Sequence, residues 1–189
     1  MAPGAGFFAA WRLRRRAASY VQALFAEPDP AQVAWLTNLE PSGDEDHARW
    51  ELRYVRRSAA LLAAQRDAVD DLTAAAVGRA LTDAFRNDRA VAPDRADIAR
   101  RQFNERLSAY REVLSTREVA PTRARLGLVL LTFTGRAAAL ASADAGRAGE
   151  IVEEALTQAN TELRAYFGTV TLPEDEVPSA ANRRAAGMR

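Results

Sequence analysis

A chain of 189 residues, 48% hydrophobic and 27% charged, is long enough for one domain with a real core and too apolar to be disordered throughout. Its net charge of +1 supplies no overall field to steer nucleic acid, so no nucleic-acid partner is expected. The absence of cysteine excludes disulfides, thiolate nucleophiles and cysteine-ligated metals.

All 26 basic residues are arginine. Together with the abundant alanine this reads as GC-rich codon usage, and both residues favour helix. No run of about 18 apolar residues marks a membrane span. The apolar stretch Gly6–Trp11 precedes its arginines, the reverse of a secretory signal. Cytoplasmic residence is expected, with a peripheral position on a membrane as the alternative.

Residues 1–6 read as a flexible lead-in, and a helix is predicted from Phe7 to Phe25. Phe7, Trp11, Ala18, Val21 and Phe25 recur at helical spacing, and Leu13, Ala17, Tyr20 and Leu24 widen that face. Asp29 then reads as an N-cap, with Pro30 at the first helical position of a short helix carrying Val33, Leu36 and Leu39. Pro41-Ser42-Gly43 ends it, and Ser42-x-x-Glu45 reads as a capping box for a third helix. In that helix Trp50, Tyr54 and Leu61 form one stripe, with Leu52, Val55, Ala59 and Leu62 beside it. Arg49, Arg53, Arg56 and Arg57 fall mostly off the stripe.

Asp67, Asp70 and Asp71 predict a break, because aspartate prefers a new N-terminus to a helix interior. Leu72, Val77, Leu81 and Phe85 continue the pattern in a fourth helix, and Asn87–Asp94 reads as a loop. Asp94 and Asp97 open a fifth, with Ile98, Phe103, Leu107, Tyr110 and Leu114 on its apolar face. After Pro121, with Thr122 as a candidate cap, comes the most hydrophobic stretch, residues 126–134. It is assigned to a buried helix over a buried strand, since a lone strand would have no partner and the alanine-rich continuation to Ala143 favours helix. Ser142–Gly149 reads as a loop of small residues. Val152, Leu156, Ala159, Leu163 and Tyr166 define a last helix stopped at Gly168. Residues 169–189, with two prolines and an acidic triplet, read as a disordered tail. The expected fold is all-α: an antiparallel bundle or orthogonal array of six to seven helices forming one domain over 7–168.

The most unusual segment is the first helix. Residues 1–26 carry Arg12, Arg14, Arg15 and Arg16 with no acidic residue, alongside Phe7, Phe8, Trp11, Tyr20 and Phe25. Such a helix can be a core helix with its aromatics packed inward and its arginines solvated, or it can dock a protein partner or a second copy of the chain, because Trp, Tyr and Arg are enriched where binding energy concentrates. An anionic membrane surface is the alternative partner.

Other clusters have simpler explanations. Asp67 and Asp71 would share a face on a continuous helix, as a magnesium–diphosphate pair requires, but no second aspartate-rich motif exists. His47, the single histidine, follows Asp44, Glu45 and Asp46, where helix first turns favour acids. It can serve neither a paired Glu-x-x-His site nor a triad without a nucleophile elbow. Glu150, Glu153 and Glu154 read as a solvated face, and Gly146 and Gly149 lack the sequence of a phosphate loop. No cofactor or metal is expected. The reading is of a non-catalytic interaction protein: an accessory subunit, adaptor or assembly component. The alternative is a small-molecule-binding domain or enzyme with an interhelical pocket lined by Trp50, Tyr54 and Tyr110.

Overall fold

The computed structural model describes residues 4–67 and 70–168, with side chains from residue 8 onward. Over these residues the chain forms seven α-helices and a 3₁₀ turn, with no strand. They are α1 (Gly4–Leu24), α2 (Pro30–Leu39), α3 (Glu45–Asp67), α4 (Asp71–Arg86), α5 (Ala96–Ser115), α6 (Thr122–Phe133) and α7 (Ala143–Phe167). The turn, Pro93–Arg95, leads into α5. The helix α1 starts at Gly4 rather than Phe7. The tail expected over 169–189 lies outside the described residues. No helix among the described residues is long and apolar enough to cross a membrane.

The centre of the array is α3, which packs against all six other helices. Its sequence permits this because Ala48, Ala59, Ala60, Ala63 and Ala64 are all buried, and small side chains let neighbouring backbones approach. The core continues through Leu52 and Val55 of α3, Leu126, Leu130 and Leu131 of α6, and Ile151, Val152 and Leu163 of α7. The apolar run 126–134 is thus helical through Phe133, its buried side packed on α7.

Local chemistry sets the ends. Asp29 accepts from the Ala31 amide, and Pro30 occupies the first turn, as the sequence predicts. The cap of α3 is Asp44 rather than Ser42: Asp44 Oδ1 accepts from the Asp46 and His47 amides at 2.9 and 3.1 Å. Asp70 caps α4 through the Thr73 amide at 2.6 Å, a bond that holds its carboxyl below the usual aspartate range. Asp67 therefore ends one helix and Asp71 begins another, so they are not an i, i+4 pair on one continuous helix.

Two boundaries depart from the sequence reading. The helix α6 does not continue towards Ala143. It closes in a Schellman motif, with the Arg136 amide donating to the Leu131 carbonyl, the Gly135 amide donating to Thr132, and Gly135 at φ 74°. The segment Ser142–Gly149, expected as a loop, is the first two turns of α7. Ser142 Oγ caps it at the Ala145 amide. Its glycines serve packing: Gly149 of α7 and Gly127 of α6 meet backbone to backbone.

Candidate interaction face and a buried charged centre

The core side of α1 is set by Ala17, Tyr20, Val21 and Leu24. Tyr20 is fully buried, and its hydroxyl donates to the Ala60 carbonyl of α3 at 3.0 Å and reaches the Ala159 carbonyl of α7 at 3.3 Å. Its ring stands edge-on to Tyr166 and Phe167. This satisfied phenol fixes the rotation of α1. Burial pushes its pKa upward, so the hydroxyl remains a donor across the physiological range.

With that side turned inward, the helical repeat sends Phe8, Trp11 and Arg15 to the opposite side. Phe8 is 60% and Trp11 51% exposed. The Arg15 guanidinium lies 5.5 Å from the Trp11 ring centre, and Arg12, Arg14 and Arg16 are also exposed. Thus the stripe Phe7–Trp11–Ala18 is not the core stripe: Trp11 and Ala18 face solvent, and the face beginning at Leu13 is buried instead. The Phe7 side chain lies outside the described residues. Phe25 is separated from the others. It packs on the core edge-on to Phe85 at 5.8 Å, with the Arg57 guanidinium 4.0 Å over its face.

The second site was not visible as such in the sequence. Glu51 of α3 and Arg106 of α5 form a two-pronged ion pair at 2.6 and 3.0 Å, at exposures of 2% and 7%. The guanidinium lies 4.2 Å from the Phe133 ring centre and 5.4 Å from that of Tyr54. Tyr54 donates to Gln102 Oε1 at 3.0 Å, and burial, reinforced by the Glu51 charge, pushes its pKa up to about 12. Burial likewise raises that of Tyr110. His47 bridges this centre to α2. Its Nδ1 meets Glu40, the C-terminal cap of α2, and its Nε2 lies 3.4 Å from Glu51 Oε1.

Both Glu51 oxygens are engaged, and its side chain offers no open face to a substrate. The chemistry of the centre is charge neutralisation and proton retention at His47. Burial pulls the His47 pKa down, but the hydrogen bond to Glu40 and the charges of Glu40, Glu51 and Asp44 outweigh it and hold the value above 6.5. Protonated His47 thus adds stability that is complete below the unfolded value of about 6.5 and is lost as pH rises through the higher folded value. An NMR titration of this single imidazole should give a midpoint above 6.5 that falls in Glu40→Gln. A wild-type midpoint at or below 6.5 contradicts the bridging role.

A parallel arrangement holds the loop after α4. Arg57, expected off the apolar stripe, is buried and donates to Asp88 Oδ2 at 2.6 Å, between the rings of Phe25 and Phe85. The same Asp88 accepts from the Ala90 amide.

Sequence spacing held a signal for the buried charges. Arg106 stands three residues after Phe103 and four before Tyr110, on their apolar stripe. Glu51 stands three before Tyr54 and four before Val55. The other acidic clusters are surface ties. Glu153 pairs with Arg123 of α6 at 2.7 Å, Glu150 with Arg147, and Glu154 accepts from Gln32 of α2. Among the described residues no group of three or more histidines and carboxylates is placed to hold a metal ion. Tyr54 and Tyr110 are buried in the core, and Trp50 is half-buried beneath Arg53, so these three do not line an open pocket together. No protein-family model, curated protein or solved structure matches the chain.

Proposed function

We propose that the protein is a non-catalytic, cytoplasmic helical interaction protein, an accessory subunit or assembly component that docks a protein partner through the outer face of α1. The observation that carries this reading is the position of Phe8 and Trp11. Both stand on the side of α1 away from the bundle, with Arg12, Arg15 and Arg16 exposed nearby and Arg14 turned to the groove beside α4.

The chemistry of that face selects the partner. Two large apolar side chains on a helix suit a groove, and the arginines suit an acidic rim. No acidic residue occurs before Glu27. A twofold pairing of this face with a second copy would set arginine against arginine, so a different protein is favoured over a homodimer.

The test is affinity isolation of the native complex, then titration of the recovered partner with wild type, Trp11→Ala, and Arg12→Glu with Arg15→Glu. The tryptophan is expected to dominate, with its loss weakening binding about 30-fold or more at unchanged helicity. The charge reversals should weaken binding most at low salt. A partner bound equally by all three sinks the docking role of α1. Sedimentation of wild type, but not of Trp11→Ala, with anionic vesicles and without any protein partner would transfer the face to a membrane.

A further inference from the structure

Three grooves on the far sides of the bundle differ in how their charges are used. The one between α2 and α3, about 620 Å³, is lined by Arg49 and Arg53 together with Glu45 and Glu27, which neutralise them. That between α4 and α5, about 310 Å³, has Asp97 in its own lining, 3.0 Å from Arg100, with Arg86 beside them. The groove between α3, α5 and α7, about 340 Å³, has two arginines and no acidic residue in its lining.

Its walls are Leu62 and Ala63 of α3, Leu114 of α5 and Leu156 of α7. All three leucines are half-buried, packed on the core along one side and open to the groove along the other. Arg66 and Arg111 stand at its rim. Arg111 donates to Gln65 Oε1 at 2.9 Å, a neutral acceptor that leaves its charge uncompensated. Arg66 pairs with its own neighbour Asp67, and this contact is exposed enough to exchange at little cost. Asn160 of α7 also lines the groove.

We infer that this groove binds a small amphipathic carboxylate, an acyl chain whose apolar body lies on Leu62, Leu114 and Leu156 and whose acid is held by Arg111 and Arg66. The volume is at the small end of ligand sites, which selects a short chain rather than a membrane lipid. The guanidinium fork matches a carboxylate in charge and geometry. This site is independent of the α1 face.

The probes are octanoate, octanol and octylammonium, titrated into the full chain by isothermal calorimetry and followed by ¹⁵N NMR. Octanoate is expected to saturate at one site, with shifts concentrated at Leu62, Leu114, Leu156 and Asn160, and to bind about ten-fold tighter than octanol. The double change Arg66→Gln with Arg111→Gln touches only exposed side chains and should abolish that ten-fold preference with helicity unchanged. Leu156→Trp should block the groove. If it does not fold, the arginine double variant still decides the matter. Equal affinity for all three probes, non-saturating binding, or an unchanged octanoate preference in the double variant overturns the assignment.

Discussion

Gly127→Ala is expected to destabilise the protein by about 3 kcal/mol or more, at the upper end of overpacking effects. A methyl group there would land on the Ala145 carbonyl oxygen and 2.7 Å from the Gly149 nitrogen. All of these are backbone atoms of α7, and no rotamer change can move them aside. The reciprocal change meets the same obstacle, since a Cβ at Gly149 would strike the Arg123 carbonyl and lie 2.7 Å from its Cγ. The only relief is to separate α6 from α7, which strips contact from Leu126, Leu130 and Leu131 on one side and Val152 on the other. Helix propensity works the other way, favouring alanine over glycine by about 1 kcal/mol. Gly146, also in α7, isolates that smaller effect: a methyl group added there would meet nothing within 4 Å, so Gly146→Ala should stabilise by up to about 1 kcal/mol. Urea melts of the three variants separate the cases. If Gly127→Ala and Gly146→Ala move the midpoint alike, the close crossing of α6 and α7 is not what holds them.

Gly146 and Gly149 among small residues read as a loop, because glycine is a poor helix former and the requirement for close approach lies on another helix, at Gly127. The seven-helix architecture itself was legible because its breaks are chemically marked. Asp29-Pro30, Asp70, Pro93, Pro121 and Gly168 each stand at or beside a helix end. Periodicity proved weaker for choosing a face. On α1 two apolar stripes overlap, and the one containing Trp11 has the larger aromatics. The structure buries the stripe containing Ala17 and Tyr20, because a slim residue lets the helix come close and the phenol finds two carbonyls. The exposed arginines around Trp11 were readable from composition; their separation from Phe25 required the rotation of the helix to be known.

The charged centre was illegible for a related reason: a single sequence gives a charge no partner. Glu51 and Arg106 are 55 positions apart. Each sits on an apolar stripe, where a reading by residue type assigns charges to solvent. Only the fold brings them together, and only the pairing makes either burial tolerable.

That mutual dependence sets the second large effect. Arg106→Ala should cost about 3–5 kcal/mol, because it leaves the Glu51 carboxylate buried without its two-pronged counter-ion, and Glu51→Ala should cost less, because the guanidinium keeps the Gln102 carbonyl and the Glu105 carboxylate, each at 3.4 Å. His47 cannot substitute for Arg106, since it already meets Glu40 and lies 3.4 Å from Glu51. Arg106→Lys keeps the charge but loses the two-pronged geometry and the flat contact with Phe133, so it should fall between wild type and alanine. The double variant Glu51→Leu with Arg106→Met is the informative one. It removes both charges while keeping volume, and isosteric replacement of a buried ion pair is often neutral or stabilising. Chemical denaturation of the four variants should therefore show a double variant more stable than either alanine single. A double variant as unstable as the sum of the two singles would mean that each residue acts separately. The pair would then not be what joins α5 to the central helix.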